Sequence, residues 1–131
     1  MPHLAWGKEY TIKDLNLPQA TFLKTTTTIN EAITKMKESS FDQFPVFDPK
    51  AMKVVGMLTT THLMTRISML KCTGTDTLDC VMIRDFRNMS SSMPLYELAR
   101  VLERQAFVLI DGFSVASSYD VLNFMQAKNF V

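Results

Sequence analysis

Apolar positions in this chain fall into two kinds of run, and the two kinds alternate. Ile29, Ala32, Ile33 and Met36 follow the i, i+3, i+4, i+7 spacing of one helical face, with Lys35, Lys37 and Glu38 off it. Thr25 to Thr28 offers N-caps for that helix, and Ser39-Ser40 ends it. Phe44-Pro45-Val46-Phe47 then reads as a short buried strand. Pro45 has no N–H to give to a ladder, which predicts a sheet edge or a strand start. Asp48-Pro49-Lys50 makes a turn, and Val54 to Leu58 is the returning strand. Thr59-Thr60-Thr61 breaks that strand and opens a helix expected to run through Leu63, Met64, Ile67 and Leu70.

The second half repeats this plan. Val81 to Met89 leads in, Ser90-Ser91-Ser92 offers caps, and Pro94 suits a first helical turn. Leu95, Leu98, Ala99 and Leu102 again lie at i, i+3, i+4, i+7. Phe107 to Ile110 is the buried strand, and Asp111-Gly112 is a tight-hairpin signal. Phe113 to Ala116 returns, Ser117-Ser118 opens the last helix, and Val121, Leu122, Phe124 and Met125 give it an apolar face. The repeat is roughly 60 residues long, with Asp48 in register with Asp111, Thr59 with Ser117 and His62 with Asp120. A tight turn makes its two strands antiparallel, and helices fall between the strand sets. The predicted class is therefore α+β with pseudo-twofold symmetry, each motif a small sheet packed against two helices.

The boundaries read as 10–70 for the first motif, 71–77 (KCTGTDT) for a linker centred on Gly74, and 78–131 for the second motif. Residues 1–9 form an extended lead-in, with Trp6 expected on the domain surface or against a part of a longer chain. Tyr10 to Leu15 fits a strand or a short helical turn, which Pro18 interrupts, and Ala20 to Leu23 a short strand.

Composition narrows the classes. The chain has 131 residues, fitting one compact domain, and a net charge of +1, which argues against an electrostatic nucleic-acid binder. No apolar run reaches the roughly 18–20 residues that span a bilayer, and the N-terminus lacks the pattern of a secretory signal. Cys72 and Cys80 match no metal or redox spacing, which leaves two reduced thiols in an intracellular, cytoplasmic setting. The ten methionines read as gap-fillers of an irregular core.

A tandem of strand, turn, strand and helix, with Thr or Ser three residues before a helix-start Asp, resembles a CBS-domain pair (a Bateman module). FDQFPVFD at 41–48 and YDVLNFM at 119–125 are the more specific landmarks. Together with 10–48, GMLTTTHLM at 56–64 and RDF at 84–86, they make the chain similar to the C-terminal regulatory regions of animal cystathionine β-synthases. The resemblance covers essentially residues 10–127. It implies a non-catalytic module that senses S-adenosylmethionine and relieves autoinhibition of a pyridoxal-phosphate catalytic domain. That domain condenses homocysteine with serine, on the route to cysteine, and would lie N-terminal to residue 1. It also implies a homodimer formed through the CBS motifs, with no nucleic-acid or membrane partner, no metal and no catalytic residue in this fragment.

The resemblance further implies two clefts between the motifs. In the first, Phe41, Asp42, Gln43 and Phe44 would face Val115, Ser117, Tyr119 and Asp120. A carboxylate at Asp120 can accept from both hydroxyls of a ribose, and the Ser117 hydroxyl can donate or accept beside it. Phe44 and Tyr119 offer apolar surface to a purine, and Gln19, Ala20 and Thr21 match the lead-in whose backbone contacts adenine. Phe41 and Asp42 suit a cationic sulfonium. Equally ordinary roles are open: Asp120 as a helix-capping acid, Asp42 as a solvated loop acid, Phe41 and Phe44 as core. The second cleft would use Arg104 to Phe107 with Met57, Thr59 and His62, and is expected to be empty, weak or occluded. A neutral imidazole at His62 cannot accept two ribose hydroxyls. The alternatives to a S-adenosylmethionine sensor are a ligand-free structural or dimerisation module and an adenine-nucleotide sensor. Large Phe44 and Ser114 depart from the family pattern and favour the ligand-free reading, and the lack of a basic phosphate cluster near Ser117 weighs against the nucleotide.

Overall fold

The structure, a computed structural model, describes residues 9–130, so Trp6 and most of the 1–9 lead-in lie outside the described residues. The described residues contain six strands in two three-stranded sheets, and four α-helices. The chain divides into two compact units, residues 20–86 and residues 9–19 with 87–130. The unit and the sequence-contiguous motif are not the same thing. Residues 10–19, read from sequence as the start of the first motif, fold with the second. Residues 78–86, read as the start of the second, fold with the first.

In the 20–86 unit, β1 (Leu23–Lys24) pairs parallel with β2 (Gln43–Asp48), which pairs antiparallel with β3 (Lys53–Thr59). Pro45 thus sits within the central strand, contrary to the edge or strand-start expectation. Its missing donor is tolerated because β1 is two residues long and its register begins opposite Val46. A bulge between Val46 and Phe47 shifts the register. Helix α1 (Ile29–Lys37) is closed by a capping box. Glu31 N–H donates to Thr28 Oγ1 at 3.2 Å, and the Glu31 carboxylate accepts the Thr28 N–H at 3.2 Å and its hydroxyl at 2.9 Å. Two more of its orphan donors are met by the linker: Ile29 N–H donates to Asp76 O and Asn30 N–H to Gly74 O, both at 2.9 Å. The KCTGTDT stretch is therefore a cap for α1 as well as a connection.

Helix α2 (Thr60–Ser68) follows β3 with Thr59 as its N-cap. It stops before Leu70, which was expected on its apolar face. Leu70 instead adopts φ 56° and is 90% exposed. The core holds Leu23, Ile29, Ala32, Phe44, Val46, Leu58, Leu63, Leu78, Val81 and Met82. The last three come from the second copy's lead-in. Thr27 O accepts from Leu78 N–H at 3.0 Å, and Met57 and Ile83 exchange N–H···O bonds of 2.8 and 2.7 Å. Gly56 makes that close approach possible: a Cβ there would stand 2.5 Å from Met82 Sδ and 3.1 Å from Ile83 O.

The other unit is built alike. β4 (Asn88–Met89) pairs parallel with β5 (Val108–Ile110), which pairs antiparallel with β6 (Ser114–Ala116). Helix α3 (Leu95–Leu102) begins after Pro94, which takes the N-cap position with ψ 141° rather than the first helical turn, and none of the three serines caps it. Asp111 at φ 53° and Gly112 at φ 78° give the two successive left-handed residues a tight hairpin needs. Helix α4 is Ser118–Ala127. Val121 is buried and Phe124 and Met125 are half-buried, but Leu122 is 57% exposed, because it lies about 100° round the helix from Val121. The core includes Met89, Leu95, Leu98, Val108, Ile110, Ala116 and Val121, completed by Ile12 from a 3-10 turn at Ile12–Leu15. Ile12 N–H donates to Met93 O at 3.0 Å, and Leu95 N–H, an orphan of the α3 start, to Tyr10 O at 2.9 Å.

Candidate functional site

The two strand-to-helix junctions carry the chemistry, and each can be built from its own unit. At Ser117 the chain is still extended (φ −129°, ψ 170°) before it turns into α4. That turn places Asp120, three residues on, over the helix start. Its carboxylate accepts the Ser117 N–H at 2.8 Å and the Ser117 hydroxyl at 3.1 Å. The Asp120 side chain is thus a capping acid, fixed in position by two donors, and carboxylate lone pairs exceed those two bonds. Val115 is half-buried on β6, and Tyr119 projects with 68% of its surface exposed. Gln19, exposed, belongs to this same unit.

The remaining predicted residues lie on the 20–86 unit. Ala20 and Thr21 are half-buried just before β1. Phe41 is 38% exposed, with its N–H donating to Ser39 Oγ at 3.1 Å. Asp42 is exposed, and its carbonyl accepts Thr60 N–H at 3.3 Å. Gln43 opens β2 opposite Thr59. Phe44 is fully buried within this unit's own core, so its ring is packing rather than an exposed platform.

The equivalent junction of the first motif differs in its direction of hydrogen bonding. Thr59 Oγ1 accepts from His62 N–H at 3.0 Å, whereas Ser117 donates to Asp120. The His62 ring is engaged as well: Nε2 donates to Val81 O at 2.9 Å. It therefore ties α2 to the second copy's lead-in. Arg104, Gln105 and Ala106 are exposed before β5, and Phe107 is half-buried.

Two further features were not singled out from sequence. A groove of about 500 Å3 runs along α4 and is lined by Tyr10, Asp14, Asp120, Asn123, Phe124 and Lys128, among others. Part of its lining was readable, since Thr11-x-x-Asp14 is a capping box like Thr28-x-x-Glu31. The pairing of Tyr10 with Phe124 spans over a hundred residues and left no local signal. An apolar groove of about 470 Å3 lies between α1 and α2, lined by Ile33, Met36, Leu63, Met64 and Ile67. Both cysteines are free thiols, Cys72 buried and Cys80 exposed. Among the described residues no helix is long and apolar enough to cross a membrane, and no cluster of three or more His, Cys, Asp or Glu is placed to hold a metal.

Comparison with known proteins agrees with this architecture. Residues 12–69 match the family model of the CBS domain. A cystathionine beta-synthase of Dictyostelium discoideum is 30% identical over 91% of this chain, which spans 26% of that protein's length. A CBS-domain pair solved in complex with 5′-methylthioadenosine and S-adenosyl-L-methionine superposes with a TM-score of 0.76 at 18% identity, covering 90% of this chain and 97% of that one. CBSX2, solved in complex with AMP, gives a TM-score of 0.74 at 21% identity, covering 91% and 98%. The chain has the α+β fold of a CBS-domain pair, and its residues 12–69 match the CBS domain.

Proposed function

We propose that this chain is the non-catalytic regulatory module of a cystathionine β-synthase, sensing S-adenosylmethionine and passing that signal to a pyridoxal-phosphate catalytic domain elsewhere in a longer chain. The observation that carries the reading is Asp120. Two hydrogen bonds from Ser117 hold a carboxylate at the start of α4, where the first motif has a histidine already bonded to a backbone carbonyl. A fixed carboxylate can accept from both hydroxyls of a ribose, and such charge-assisted bonds contribute about 1.5–3 kcal/mol. Ser117, Val115, Tyr119 and Gln19 are the proposed ligand contacts beside it in the same unit. In the 20–86 unit the proposed contacts are Ala20, Thr21, Phe41, Asp42 and Gln43, with exposed Phe41 and Asp42 suited to the sulfonium and Phe44 supporting them from the core.

The relatives support the ligand class from two sides, since one CBS-domain pair was solved with S-adenosyl-L-methionine and another with AMP. The nucleotide is therefore the competing ligand, and a ligand-free structural module the third outcome. Thermal shift of the chain with S-adenosylmethionine, AMP and ATP separates them. A shift with the first alone is expected; a shift with AMP or ATP alone makes it a nucleotide sensor, and none at all a structural module. For the expected homodimer we propose the apolar groove between α1 and α2 as the contact, because exposed Met64 and half-buried Met36 suit an adaptable helix-on-helix packing.

A further inference from the structure

The groove along α4 contains a cation held against two aromatic rings. Tyr10 and Phe124 meet edge to face, with centroids 5.0 Å apart and planes at 77°, so their faces make a corner. Lys128 Nζ sits in that corner, 5.5 Å from the Tyr10 centroid and 5.7 Å from that of Phe124. Both distances lie inside the range over which a ring quadrupole attracts a cation. Phe130 also meets Tyr10 edge to face, its centroid 6.2 Å away.

The rest of the groove favours positive charge as well. Asp14 and Asp120 line it with Lys128, so the lining is net negative while the lysine is seated and more so when it leaves. Capping boxes fix both acids: Asp14 accepts Thr11 N–H at 2.8 Å, and Asp120 the Ser117 N–H at 2.8 Å. Lys128 by contrast is exposed and follows the last residue of α4 on a flexible stem. A primary ammonium is strongly hydrated and gains little from an exposed ring corner. A cation whose charge is wrapped in methyl groups gives up less hydration there and covers more of both rings. The groove volume accommodates such a group beside the two acids.

We propose that this corner is a binding site for a small alkylated onium cation, quaternary ammonium or sulfonium, and that Lys128 is its intramolecular competitor. The inference does not rest on the adenosyl reading of Asp120, with which it shares only that carboxylate. A positive choline response without a S-adenosylmethionine response would overturn that reading and leave this one standing.

The test is an NMR titration of the full chain with choline, with trimethylsulfonium, and with 3,3-dimethyl-1-butanol, the neutral isostere of choline. The Tyr10 and Phe124 ring resonances should shift saturably with the two cations and not with the alcohol. Choline against trimethylsulfonium then tells which onium the corner prefers. Lys128→Ala vacates the corner on an exposed side chain, and should tighten the cations by about twofold to fivefold, the reciprocal of what an exposed cation–π contact is worth. Phe124→Leu, checked for retained circular dichroism, should abolish the response, and if it unfolds, Lys128→Ala alone decides. Equal shifts with alcohol and cation, or no tightening in Lys128→Ala, would overturn the proposal.

Discussion

The close approach at Gly56 gives a stability prediction that can be worked from distances. Gly56→Ala places a Cβ 2.5 Å from Met82 Sδ, 2.7 Å from Met82 Cγ and 3.1 Å from Ile83 O. The methionine side chain can yield, but the carbonyl belongs to the Met57–Ile83 bridge and can move only by lengthening its bonds of 2.7 and 2.8 Å. Overpacking of this kind costs about 1–3 kcal/mol. Met82→Ala alone should cost about 2–5 kcal/mol, at the low end because the side chain is not wholly buried. Combined, the two should cost less than their sum by about 0.5–2 kcal/mol, since the shortened residue 82 leaves room for the new methyl. Urea unfolding followed by circular dichroism measures all three variants. If Gly56→Ala lies within about 0.5 kcal/mol of the parent, or the pair is strictly additive, residues 78–83 do not lean on β3 as described.

Three shorter predictions follow from other elements. Gly112→Ala meets no atom within 4 Å, so its whole cost is the φ of 78°; about 1 kcal/mol is expected in the same urea assay, whereas a cost near zero would mean the hairpin is not left-handed there. Glu31 is held below the usual glutamate range by the Thr28 N–H first and the Thr28 hydroxyl second. Its contribution to stability is therefore present above the unfolded value, about 4.3, and fades as pH falls through the lower folded value; Glu31→Gln should flatten that acid limb, and an unchanged limb counts against the capping box. Ile67→Asp, which charges the apolar α1–α2 groove, should lower the mass found by sedimentation if that groove is a self-association surface, and an unchanged mass would move the contact elsewhere.

How far the sequence carries is visible in particular residues. Ile29, Ala32, Leu95 and Leu98 are all fully buried, because helical period and burial are both local consequences of the same spacing. The Asp111-Gly112 hairpin was equally legible, since only a few residue types accept two left-handed conformations in succession. Leu70 and Leu122 misled, because an apolar side chain is no guarantee of burial at a helix end or beside the buried stripe. Pro45 misled because strand position depends on the length of a partner twenty residues away. The exchange of lead-ins, Ile12 into the second core and Leu78, Val81 and Met82 into the first, is a tertiary choice with no periodic signal. At the candidate site, Ser117 and Asp120 could be read as a pair because N-cap and N3 are neighbours on any helix. Whether Phe44 was core or surface could not, since both roles call for the same ring.

The most direct test of the functional account is calorimetric titration of S-adenosylmethionine into the chain and into Asp120→Asn. The asparagine keeps an oxygen to accept the Ser117 N–H while removing the charge, so capping survives better than in an alanine variant. The account predicts saturable binding to the parent chain, stronger than AMP, and a loss of about tenfold to more than a hundredfold in Asp120→Asn, the worth of one charge-assisted bond or two weakened ones. Equal binding by parent and variant, or AMP binding with S-adenosylmethionine silent, would contradict it.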